Sequence, residues 1–270
     1  MLLRSLTILI AAPLVIALIG LMCPGVFFTL TLLVGLTALY EFYGMALPNA
    51  ARAELGGGLA LGALVLTAGY ADAVSGSTGM LTTGACMAAF MLIFAGYICF
   101  GKHQRFPFEQ VSKLFFGIFY VALLFSFLIL VRGLPHGVTL IFFLLFVTWA
   151  GDTGAYLTGR ALGRHLLCPR VSPAKTIEGS CGGAVFSLAV ALVCQMTFLQ
   201  HISIANCLAL AAGINVLNQI GDLSESAIKR SCDVKDSGKI LPGHGGILDR
   251  IDSLLFAAPF LYYYIVLFNC

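Results

Sequence analysis

Of the chain's 270 residues, 60% are hydrophobic and only 10% charged. A water-soluble domain carries about 25% charged residues, so too little polar surface remains to cover a soluble globule, and the membrane is the expected solvent. The formal net charge of +3 forms no organised basic face, which argues against nucleic acid as a partner.

Nine apolar segments are predicted in chain order: residues 5–22, 26–44, 57–74, 79–100, 114–131, 138–158, 179–199, 204–222 and 251–268. Each is near the ~20 residues that cross the hydrocarbon as a helix. Helices are expected because lipid offers no partner to a free backbone N–H or C=O. The fold class is therefore all-α, a polytopic integral membrane protein of about nine transmembrane helices. The first segment reads as a retained helix, since Met22 stands before Cys23 where a lipoprotein signal needs a small residue. The nine cysteines are scattered without a Cys-x-x-Cys pair, so they read as small hydrophobes rather than zinc ligands or a disulfide framework.

Lys and Arg predict the orientation. With nine spans, alternate connections place fourteen of the 15 basic residues on one side and Arg132 alone on the other. By the positive-inside rule the N-terminus is expected in the cytoplasm. Eight of the 12 acidic residues lie from Asp152 onward, so residues 1–113 read as membrane scaffold and residues 114–270 as the catalytic part.

Three clusters carry candidate chemistry. Asp152 lies in Gly151-Asp152-Thr153-Gly154-Ala155-Tyr156, inside the sixth segment, where a carboxylate is costly unless paired or wet. In Ser172-Pro173-Ala174-Lys175-Thr176-Ile177-Glu178-Gly179, Lys175 is a point charge suited to a phosphate. Glu178 stands at the mouth of the seventh segment, and Gly182 and Gly183 allow close helix approach. Glu41, near the end of the second segment, reads as an interfacial charge, and Arg160 as an interfacial anchor.

The densest cluster runs from Asp222 to Asp252. Asp222, Glu225, Ser226 and Lys229 share one helical face by their i, i+3, i+4, i+7 spacing. Asp249 and Asp252 repeat the i, i+3 relation at the start of the last segment. Two such carboxylate faces can share Mg²⁺, which takes one or two carboxylates and fills its octahedron with water and phosphate oxygens. Between them, Pro242-Gly243-His244-Gly245-Gly246 permits positive φ and an anion-binding nest of N–H groups. Lys175, Lys229, Arg230, Lys235 and Lys239 would neutralise phosphates around it.

At these residues the chain resembles the phosphatidate cytidylyltransferase, or CDP-diacylglycerol synthase, family. The matching positions are Ser226-x-Ile228-Lys229-Arg230, Lys235-Asp236, Leu241-Pro242-x-His244-Gly245-Gly246 and Asp249-Arg250-Ile251-Asp252. The resemblance is sharp from Gly151 to Asp252 and rests on hydropathy before that. It implies an enzyme of the bacterial plasma (inner) membrane with its active site facing the cytoplasm. Its substrates would be CTP and phosphatidate, its products CDP-diacylglycerol and pyrophosphate. Mg²⁺ is implied as cofactor, a paired K⁺ is compatible with it, and members are thought to be homodimers. Asp222 and Asp249 are then the expected metal carboxylates. Asp222, Asp249, Lys229, Arg230 and Asp252 are the expected catalytic set. Substrate contacts are expected from Ser172, Lys175, Glu178, Asp152, Lys235, Asp236, Lys239, His244, Gly245, Gly246 and Arg250. Two other classes stay open: a CTP-dependent kinase of a polyprenol-type alcohol, which would release CDP, and a transporter, which the lack of symmetry between halves disfavours.

Overall fold

A computed structural model of the chain describes Gly20, residues 23–100, 107–238, 240 and 245–268. Eight helices among these residues are long and apolar enough to cross a membrane. They coincide with eight of the nine expected segments, and the ninth, residues 5–22, lies outside the described residues. The all-α polytopic class is borne out, with one addition: a two-stranded antiparallel hairpin between the fifth and sixth of these helices.

The chain divides by packing into two compact units: residues up to Pro135 with Asp236–Arg250, and His136–Lys235 with Ile251 onward. The expected division between residues 113 and 114 concerned role, and the packing units divide elsewhere.

The first unit holds α1 (Pro24–Ala46), α2 (Arg52–Ser75), α3 (Met80–Phe100), α4 (Phe108–Gly117), a π-helical turn (Ile118–Leu123) and α5 (Leu124–Gly133). The last three run on as one span. Its core is aromatic and aliphatic, with Tyr43, Phe42, Leu39, Leu66 and Ile118 fully buried. The Tyr43 hydroxyl donates to the Leu114 carbonyl at 2.9 Å, so a buried phenol is satisfied across two helices. Asp72, fully buried near the end of α2, accepts N–H bonds from Leu81 (3.1 Å) and Thr82 (2.7 Å). It thereby satisfies donors that the first turn of α3 would leave orphaned.

The second unit holds α6 (Gly137–Leu162), the hairpin strands β1 (Leu166–Cys168) and β2 (Ser172–Thr176), α7 (Ile177–Thr197), α8 (Ile204–Ser231) and most of α9 (Leu248–Phe268). The hairpin pairs Leu166 with Thr176 and Cys168 with Ser172. Helix α7 begins directly from β2. Thr176 caps it, its side-chain oxygen accepting the Gly179 N–H at 3.1 Å, as a threonine at that position does.

Helices α6 and α7 approach closely because small residues face each other at four-residue spacing. Gly151, Ala155 and Gly159 lie on α6; Gly179, Gly183 and Ser187 lie on α7. A Cβ on Gly183 would come within 2.8 Å of the Gly151 carbonyl oxygen, and one on Gly179 within 2.8 Å of the Ala155 carbonyl oxygen. With no water to expel from lipid, this kind of contact holds membrane helices together. The expectation for Gly183 is met, and the contact fixes α6 against β2 and the start of α7.

Candidate active site

Asp152 follows Gly151 on α6, so the tight α6–α7 contact also places this carboxylate beside α8. Asn218 Nδ2 donates to Asp152 Oδ1 at 2.8 Å. One helical turn further along α8, Asp222 is ion-paired with Lys175 of β2, and the Ser226 hydroxyl lies 3.5 Å from Asp222 Oδ1. A cleft of about 540 Å³ opens over these groups, lined by Asp152, Lys175, Asp222 and Ser172 among others. Sequence reading therefore named four of the cleft's polar residues, and the structure brings those four together. Lys175 reaches α8 only because the hairpin folds β2 back over the ends of α6 and α7.

Helix α8 has 28 residues, a length of about 42 Å at 1.5 Å per residue, against a hydrocarbon core of about 30 Å. Its polar last turns, from Asp222 to Ser231, form a continuous helical extension long enough to reach beyond that slab. Glu225 and Lys229 pair on this extension at 2.5 Å, with the carboxylate buried and the lysine nearly so. Arg230 is exposed and its Nη1 lies 3.4 Å from the Val234 carbonyl.

Helix α9 returns against this extension. A Cβ on Gly221 would come within 2.7 Å of the Asp252 carbonyl oxygen, so glycine is what lets the two backbones touch there. Asp252 is buried, accepts the Ser253 N–H at 2.7 Å, and feels the charges of Asp222, Lys229 and Asp152. Four carboxylates (Asp152, Asp222, Glu225, Asp252) thus face two ammonium groups, Lys175 and Lys229. Carboxyl oxygens of this kind are hard donors, the type that Mg²⁺ takes one or two of. No group of three or more His, Cys, Asp or Glu among the described residues is placed to enclose a metal. Mg²⁺ does not need one, because water and substrate oxygens complete its shell.

In the first unit, the Asp249 carboxylate faces its own loop. Asp249 Oδ2 accepts N–H bonds from Gly246 at 2.7 Å and Ser237 at 3.1 Å. Gly245 has φ +78, the left-handed conformation that the glycine pair was expected to supply, and a Cβ there would lie 2.7 Å from Asp249 Oδ2. A carboxylate offers about four lone-pair sites, and these loop N–H groups hold Asp249 in a fixed direction. Lys235, Asp236 and Arg250 are exposed. Lys239 and His244 lie outside the described residues.

Two residues behave differently from their sequence reading. Glu178 accepts the N–H groups of Arg164 (3.1 Å) and His165 (3.2 Å), and its other oxygen lies 2.6 Å from His165 Nδ1. It holds the turn into the hairpin and so supports Lys175 from a distance. Glu41, read as interfacial, is 4% exposed and meets Ser237 and Leu248. The sequence reading also gave no role to Asn218, Gln219, Ser180 or Tyr156. Gln219 pairs with Ser180, and both line the cleft with Tyr156 and Arg160. The signal for Gln219 was its place three residues before Asp222 on the same helical face.

A family model described as the cytidylyltransferase family matches residues 2–268. The chain belongs to the cytidylyltransferase family. Within it, the chain is similar to "Phosphatidate cytidylyltransferase" of Bacillus subtilis, 44% identical over 62% of this chain and 62% of that protein. The protein of the same name from Staphylococcus epidermidis is 42% identical over 65% of this chain and 66% of its own length. One from Staphylococcus aureus is 39% identical over the same shares. The matched stretch spans less than two thirds of these relatives. The clustered lysines and carboxylates of this cytidylyltransferase-family chain lie on or beside helices long and apolar enough to cross a membrane.

Proposed function

We propose that this chain transfers the cytidylyl group of CTP to phosphatidate, giving CDP-diacylglycerol and pyrophosphate, at the cytoplasmic face of a bacterial plasma membrane. The observation that carries the reading is the cleft at the ends of α6, α7 and α8, where Lys175 and Asp222 meet beside Asp152. Family membership and the printed names of the relatives point to the same chemistry.

The phosphate of phosphatidate is already a nucleophile, so the reaction needs no strong base. One of its oxygens attacks the α-phosphorus of CTP and forms the new P–O bond. The bond from that phosphorus to the α,β-bridging oxygen breaks, and its electron pair leaves with pyrophosphate. Catalysis is then positioning together with neutralisation of charge. Lys175 and Lys229 supply positive charge at the cleft and beside it, and exposed Arg230 and Lys235 can draw in the triphosphate. Asp152, held by Asn218, fixes the polar wall of the cleft. Mg²⁺, bound through Asp222 or Asp249 and their waters, would supply Lewis-acid polarisation of the phosphates. A paired K⁺ and a homodimer are compatible with this reading.

The test is incubation of the purified protein with phosphatidate, α-³²P-CTP and Mg²⁺. The expected result is labelled CDP-lipid with equimolar pyrophosphate, abolished by EDTA and restored by Mg²⁺. Release of CDP with γ-phosphate transfer to an isoprenoid alcohol would overturn it, as would folded protein that gives neither product.

A further inference from the structure

Helix α9 begins at Leu248, and the residue before it is Ile247. Isoleucine has no oxygen with which to cap a helix, so the first N–H groups of α9 need an acceptor from elsewhere. Glu41 of α1 supplies one. Its Oε2 accepts the Leu248 N–H at 2.9 Å across 207 positions of sequence, and the Ser237 hydroxyl lies 3.4 Å away. The negative charge also sits at the positive end of the helix dipole.

The fit around this carboxylate is close. A Cβ on Gly238 would come within 2.9 Å of Glu41 Cγ, and one on Gly246 within 2.8 Å of the Gly238 nitrogen. Burying a carboxylate costs several kcal/mol unless hydrogen bonds compensate, and here the Leu248 N–H and the Ser237 hydroxyl serve Oε2, while Oε1 has no hydrogen-bond partner among the described residues. Ser237 is held from two sides: its hydroxyl faces Glu41, and its N–H donates to Asp249. Gly246 likewise donates to Asp249 while packing on Glu41.

We infer that Glu41 is a positioning residue, which clamps Ser237, Gly246 and the first turn of α9 and thereby sets the direction of the Asp249 carboxylate. The role in turnover rests on the proposed function; the clamp does not. Glu41 touches no reacting atom, so its effect passes through Asp249.

The test is hydrogen–deuterium exchange on purified full-length protein, with turnover measured alongside. Glu41→Ala leaves a buried N–H unpartnered, and exchange at Ser237, Gly246 and Leu248 should rise about tenfold, while residues 204–222 keep their protection. In the same variant kcat should fall about tenfold with little change in the KM for phosphatidate, and Glu41→Gln, whose amide oxygen can still accept from Leu248, should recover most of both. Unchanged exchange at Ser237, Gly246 and Leu248, a rise spread over the whole chain, or a Gln variant no better than Ala would overturn the inference. If Glu41→Ala fails to accumulate, Glu41→Asp, one methylene shorter, is read by the same criteria. Wild-type protein that yields no CDP-lipid would defeat the functional reading alone, since the exchange measurement needs no substrate.

Discussion

Lys175 on a two-stranded hairpin and Asp222 near the end of a transmembrane helix form an ion pair. Both are only partly shielded, so the pair is of modest worth to stability and can be opened by a phosphate that competes for the lysine. We predict that Lys175→Ala and Asp222→Asn each lower turnover by about 10²-fold or more, the scale seen when one transition-state donor is removed. Because the two groups touch, the double variant should lose much less than the sum of the single losses in free energy. Additive losses in a steady-state double-mutant cycle would contradict a shared role.

Asp249 accepts two loop N–H bonds. Asn at this position keeps one oxygen acceptor but loses the charge. Asp249→Asn should therefore insert and fold normally, judged by gel filtration in detergent, yet lose at least about 10²-fold in turnover. Near-normal turnover would remove Asp249 from the metal-binding assignment.

The α6–α7 contact makes a prediction about stability. At Gly183 an added methyl meets the Gly151 carbonyl oxygen, which is backbone and cannot rotate away. Gly183→Ala should cost about 1–3 kcal/mol, the usual range for overpacking, seen as a lower Tm in detergent. Gly84, where an added Cβ has no neighbour within 4 Å, is the control. Gly84→Ala should leave Tm unchanged.

His136 and His201 stack at 4.2 Å between ring centroids. Burial and the neighbouring His136 hold the His201 imidazole below its ordinary value of 6.5. On acidification the unfolded chain takes up this proton before the folded protein does, so stability falls as pH drops below about 6.5. His201→Asn should flatten the decline of Tm between pH 7 and 5. An unaltered decline would mean that other groups cause it.

The spans were legible in the sequence because hydropathy is local: each stretch of about 20 apolar residues carries its own transfer free energy, whatever the rest of the chain does. The positions of Asp152, Lys175 and Asp222 were legible as chemistry because a charged group near an apolar run must answer for its cost. Their partners were not. Nothing local says that Asn218 meets Asp152, that Glu178 turns back to His165, or that Ser172–Thr176 becomes a strand. Glu41 shows the limit most clearly. Its acceptor role depends on Leu248, 207 positions away, and a contact made across that distance leaves no periodicity in the sequence near either end. Composition and hydropathy thus determined that the chain is an all-α membrane protein with most of its acidic residues late in the sequence. Only tertiary packing decided which carboxylates face the cleft and which hold the backbone, because a carboxylate's role is set by the donors that the fold brings within about 3 Å of it.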